Sequence, residues 1–118
     1  MANVEMFEGI KNRVTGLPLQ KIEVPEWGCT IHYYPTTPKE TSIARAGIDE
    51  QKDPLVYYQV RLVNLKALDA DGRRIFTTEQ AKEMLDWPCL TVFSRIAAEM
   101  NKSVAVEEAA EDFISRPS

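Results

Sequence analysis

Cysteine, histidine and glycine are scarce in this chain, and basic residues are outnumbered. Fourteen Lys and Arg stand against eighteen Asp and Glu, for a net charge of −4 and a pI near 5.0. That balance argues against nucleic acid as the main partner, because phosphate binding needs a clustered basic surface. No apolar run reaches the length of a bilayer span, so no membrane association is expected. The opening MANVEMFEG has neither a basic nor an apolar leader region, so no signal peptide is expected. The two cysteines, Cys29 and Cys89, read as reduced thiols of a cytosolic chain rather than as a bridge. Together with the single histidine, His32, they lack metal-ligand spacing. Neither a P-loop nor GxGxxG is present.

What is present is a 118-residue chain, 44% hydrophobic. That suits one domain over 1–118 with a real core and no need of a disulfide or metal staple. Val4, Phe7, Ile10 and Val14 recur at helical spacing, and Gly16 follows as a stop, so residues 1–16 read as a helix docked by one stripe or as an N-terminal arm. Residues 20–24 and 30–34 alternate as two strands, with Ile22, Val24, Ile31 and Tyr33 on the dry faces. Pro25 and Gly28 make the turn between them. A hairpin alone is marginal in water, so it must pair with something else. Trp27, at its corner, either folds onto the chain's own core or meets a neighbour.

Thr37-Pro38-Lys39-Glu40 opens a short helix with a capping box. Residues 48–53 read as a mobile linker. Asp53-Pro54 opens a longer helix from Leu55 to Leu68, with Asp53 as cap. Wound at helical pitch, this segment is apolar on two faces. Val56, Val60, Val63 and Ala67 share one face; Leu55, Tyr58, Leu62 and Leu65 share the other. Gln59 and Lys66 separate them on one side, Arg61 and Asn64 on the opposite side. Either the helix is sandwiched inside the fold, or one face meets a second subunit.

Asp69 to Phe76 reads as a polar turn into an extended Ile-Phe. A calcium loop is excluded there, since positions 5 and 6 counted from Asp69 are Arg73 and Arg74. Thr77 or Thr78 caps a short helix striped by Ala81, Met84 and Leu85. Trp87-Pro88 breaks it, and the next helix is striped by Cys89, Val92, Phe93, Ile96 and Met100. A last helix is expected from about Val104, followed by a tail at Arg116. The fold class is therefore α+β: a small hairpin near the N-terminus packed on a mainly helical C-terminal part. His32 lies three residues from Cys29, on the opposite strand face, which argues against a thiol–imidazole pair. With no acid, base and nucleophile constellation, no enzyme is expected, and no catalytic, cofactor or metal residue is assigned.

Several of these segments together resemble the tail assembly chaperones of long, non-contractile-tailed bacteriophages. The resemblance runs over roughly residues 20–103. It is carried by VPEWGCTIHYY, by TPKET opening a helix, and by an apolar helix ending in DADGRRIFTTEQ. A helical tail ending near Asn101-Lys102-Ser103 completes it. Asp69, Asp71, Gly72, Phe76 and Thr77 match the family's Asp-x-Asp-Gly-x-x-x-Phe-Thr segment. Cys29 stands where a second small residue, often Gly, is common, and Trp87-Pro88 has no family counterpart.

The resemblance implies a non-catalytic protein of the host cell cytoplasm, absent from the finished virion, that keeps the tape measure protein soluble. It implies as partners the tape measure protein, a frameshifted longer form of the same chain, and, through that form, the tail tube protein. This chain corresponds to the short form. A homo-oligomer is expected, with Trp27, Tyr58, Leu62, Leu65 and Trp87 as candidate interface residues. The alternative reading is a small structural head–tail joining protein of the virion.

Overall fold

The computed structural model describes residues 2–102. Residues 19–102 form the body, and the N-terminal 18 residues belong to a separate unit. In that unit, helix α1 (Val4–Thr15) begins on Asn3, whose side chain accepts from the Met6 amide. This is an N-cap satisfying one of the helix's orphan donors. No residue of α1 is buried, and Val4, Phe7, Ile10 and Val14 are all exposed. The helix expected from Val104 lies outside the described residues.

The body begins with the hairpin. Strands β1 (Gln20–Val24) and β2 (Cys29–Tyr33) pair antiparallel, with Ile22 opposite Ile31. Alternation works as the sequence predicts: Ile22, Val24, Ile31 and Tyr33 are buried, while Lys21, Glu23 and Thr30 are exposed. Gly28 takes φ +67°, a left-handed corner that a side chain would strain.

The hairpin's second partner is a segment far along the chain. His32 and Leu68 exchange both backbone hydrogen bonds, each 2.8 Å, and Leu68 pairs onward with Arg74. The two-stranded sheet is thus extended by single bridges, from β2 to Leu68 and from Leu68 to Arg74. The outer edge of β2 is bridged at His32, while the Lys21 and Glu23 backbone groups of β1 have no such partner among the described residues.

Helix α2 (Pro38–Arg45) has the capping box read from Thr37 and Glu40. Helix α3 (Leu55–Lys66) differs from its sequence reading at both ends. Asp53 does not cap it: its carboxylate accepts from the Asp49 amide (2.9 Å) instead, closing the 49–53 turn. The helix also stops at Lys66 rather than Leu68, because Leu68 is drawn into the sheet. Thr77 and Gln80 form a second capping box over a 3-10 turn (Thr78–Gln80) leading into α4 (Ala81–Met84). Helix α5 (Leu90–Asn101) closes the body.

The core lies between the inner face of the hairpin and helices α3 and α5. It contains Val24, Ile31, Leu62, Val63, Met84, Phe93, Ile96 and Met100, all essentially inaccessible. The last turn of α5 leaves carbonyls without helical partners. Tyr33 Oη donates to the Glu99 carbonyl (3.1 Å), which also accepts the Lys102 amide, and Thr36 Oγ1 donates to the Met100 carbonyl (2.9 Å), so side chains from the hairpin side of the body hold the end of α5. Burial and the neighbouring Glu99 push the Tyr33 phenol's pKa up.

Asn64 and Lys66 were placed on polar borders of α3 by sequence; both are buried. Each is tied to a loop. Asn64 Nδ2 donates to the Thr77 carbonyl (2.8 Å) and Lys66 Nζ to the Tyr34 carbonyl (2.7 Å). Buried polar groups need such partners, and these loops supply them.

Candidate interaction surface

The turn Pro25–Trp27 projects its indole onto the far end of the chain. Trp27 meets Phe93 edge-on at 5.4 Å between ring centroids, Trp87 at 6.1 Å and Phe76 at 6.4 Å. Trp87 in turn stacks on Phe93 (6.3 Å, 22° between planes) and meets Phe76 at 6.1 Å. Such ring pairs add about 0.5–1.5 kcal/mol each beyond the area they bury. Trp27 therefore fastens the hairpin turn to α5, to the segment after Arg74 and to the α4–α5 connection.

Beside it, Glu26 and Arg95 form a two-pronged ion pair, 2.6 and 2.9 Å. The Arg95 guanidinium's donated hydrogen bonds hold the Glu26 carboxyl down to about 2, and the same pairing raises the pKa of Arg95. Residues 26 and 95 lie too far apart in sequence for any local pattern to signal the pair. Phe93 was legible as a helix stripe and Phe76 as an extended residue, but not as one cluster with the tryptophans.

This corner is only partly closed. Trp87 is 37% exposed and Leu90, at the start of α5, 61%. Ile75, next to Phe76, is also exposed. Apolar side chains at and near the aromatic corner thus face solvent, the kind of surface that marks interaction sites.

The five candidate interface residues separate. Trp27 and Trp87 come together at this corner. Leu62 is fully buried, Tyr58 is 9% exposed and Leu65 is half-buried, all on α3. Of the two apolar faces of α3, Val60, Val63 and Ala67 on one and Tyr58 and Leu62 on the other are buried. Helix α3 packs against α2, α4 and α5, so it is sandwiched, and Leu62 and Tyr58 are occupied by the chain's own core. Tyr58 lies under the Arg45 guanidinium (4.9 Å to the ring centroid) at the edge of a cavity of about 260 Å³. Arg45 also pairs with exposed Glu50 at 3.5 Å. Surface charges of this kind contribute little net stability.

Asp69 folds its carboxylate back on its own turn, accepting from the Asp71 amide (2.9 Å) and the Arg73 amide (3.0 Å). Those bonds, the Arg73 amide foremost, lower its pKa. The polar turn read from the sequence is thus closed by its own Asp side chain. Cys29 and Cys89 are unbridged. Among the described residues no three side chains cluster as metal ligands, and no helix is long and apolar enough to cross a membrane. No protein family, curated protein or solved structure matches the chain.

Proposed function

We propose that the chain is a tail assembly chaperone of a long-tailed, non-contractile bacteriophage. In this reading it holds the tape measure protein in the host cytoplasm and leaves before the virion is finished. It works without catalysis or cofactor and self-associates. A longer, frameshifted form of the chain brings the tail tube protein to the complex.

The observation that supports this reading best is the half-open aromatic corner. A holding protein without an energy source must present apolar surface to its client while keeping its own core shut. Trp87, Leu90 and Ile75 offer such surface on a rigid base of Trp27 and Phe93. Several residues that carry the family resemblance help build this corner or the turn leading into it, while its exposed ring, Trp87, has no family counterpart. Glu26 pairs with Arg95, Trp27 joins the rings, and Gly28 turns the chain. Asp69 closes its turn, Gly72 takes φ +81°, and Phe76 meets both tryptophans. The matching positions thus have physical reasons to be what they are.

A tape measure helix laying its apolar stripe on the corner is the mode that fits. Co-expression of the chain with the tape measure protein of its phage tests this. Co-purification is expected, with loss on Trp87→Ser combined with Leu90→Asp, at unchanged far-UV circular dichroism. A folded double variant that still retains the client moves the binding surface elsewhere. Failure of the wild type to bind, with the chain present in purified virions, replaces the chaperone by a head–tail joining protein.

A further inference from the structure

We propose that the outer edge of β1 at Lys21 and Glu23 is the contact between two copies of this chain, paired antiparallel about a two-fold axis through Ile22. The backbone fixes which groups are available. His32 turns its N–H and C=O toward Leu68, away from β1. Its cross-strand neighbour Lys21 therefore turns its own N–H and C=O away from β2, and by alternation so does Glu23. Among the described residues nothing bonds to these outward groups. Both side chains are exposed, on the outer face of the sheet.

Charge selects both the occupant and the register. Outward-facing residues of one β1 must pair with outward-facing residues of the other. About Ile22, Lys21 lies opposite the second copy's Glu23, and Glu23 opposite its Lys21. Sliding either way to the next register that keeps the hydrogen bonds sets Lys21 against Lys21, or Glu23 against Glu23. The latter slide also requires an N–H from Pro25, which has none. Only the Ile22-centred register sets unlike charges opposite each other, where cross-strand pairs are favourable. The edge is thus self-complementary, as an isologous two-fold interface requires. On the inner face the same axis brings Ile22 against its copy, extending the apolar layer of each hairpin.

An edge carrying a charge of each sign can also be a blunted one that discourages pairing, and the two roles give opposite results. The interface assigned to β1 gives the proposed self-association a place, and its test needs no client, so it fails or succeeds apart from the chaperone reading. Sedimentation of the wild-type chain alone should show a dimer that weakens with added salt. Lys21→Glu should weaken dimerisation at least tenfold, since it sets acid against acid on both sides of the axis, and Glu23→Lys should do the same. The double exchange, Lys21→Glu with Glu23→Lys, should restore it. Both sites are exposed, so circular dichroism should be unchanged throughout. A monomer at every concentration makes the charges a blunting device and overturns the proposal. A dimer indifferent to the single reversals, or one not restored by the exchange, also overturns it.

Discussion

Lys66 Nζ lies 3.0 Å from Glu40 Oε1, and the same carboxylate oxygen accepts the Thr37 amide at 2.9 Å. One oxygen thus closes the capping box of α2 and holds the ammonium at the end of α3. The Lys66 side chain is 2% exposed and that of Glu40 31%, so the cation is buried and its partner lies at the rim. Removing one member of a buried pair leaves an uncompensated charge and typically costs about 3–5 kcal/mol. Glu40→Ala should therefore cost roughly 3 kcal/mol, because water reaches part of the site and the Tyr34 carbonyl still binds the ammonium. Thr37→Ala removes only a cap and should cost about 1 kcal/mol. Urea melts of the two variants check the order; equal losses would show that the ion pair adds nothing to the cap.

Asn64 joins α3 to the loop that follows the Arg74 bridge. Its Nδ2 donates to the Thr77 carbonyl, and Arg74 Nη2 donates to both its Oδ1 (3.2 Å) and its backbone carbonyl (2.9 Å). Asn64→Ala should cost about 1–3 kcal/mol, the range for stranding buried partners. The loss should be felt locally first. Amide exchange of Ile75, which donates to the Ala67 carbonyl, should accelerate before that of the Leu68 and His32 amides.

Leu62 and Val63 point to opposite faces of α3 and both are completely buried. Leu62→Asn and Val63→Asn should each unfold the chain or cost on the order of 3 kcal/mol or more, combining lost burial with an unpaired amide. Total stability of a domain this size is about 5–15 kcal/mol. Far-UV circular dichroism with thermal melts decides it. A folded, stable Leu62→Asn would place that side chain at a surface after all.

The Glu26–Arg95 pair makes a pH prediction. The folded Glu26 pKa is depressed from an ordinary 4.5 to about 2, so its contribution is fully present above the unfolded value. That contribution fades as pH falls from about 4.5 toward 2. Wild type and Glu26→Gln should accordingly differ in melting temperature near neutral pH and converge in acid. High salt should shrink the difference, since both side chains are more than 40% exposed. A Glu26 carboxyl that titrates by NMR near 4.5 would show that the pair does not persist in solution.

Interactions that close within a few residues were legible in the sequence. The capping box at Thr37 and the cap at Thr77, whose Gln80 half was not read, span three residues, the Asp69 turn spans four, and strand alternation in the hairpin is a local pattern. Chain geometry alone brings those groups together, whatever surrounds them. Gly28 at its left-handed corner belongs to the same class.

Local pattern was therefore enough for the α+β class, the hairpin and most helix starts. The tertiary structure alone decided which exposed-looking groups were buried and which edges were filled. Asp53 was a plausible cap until the Asp49 amide competed for it. Lys66 and Asn64 had the composition of a solvated border, and only the arrival of Glu40, Tyr34, Thr77 and Arg74 made burial affordable. The two apolar faces of α3 left both a core and an interface reading open, because periodicity reports that a face is apolar and not what covers it. Trp27 had two readings for the same reason, and Phe93 with Trp87 settled it. Leu68 entered the sheet through a non-local pairing with His32, a contact that pattern within one segment cannot encode. What covers a surface depends on groups brought in from elsewhere in the chain, so it is fixed only when the chain closes on itself.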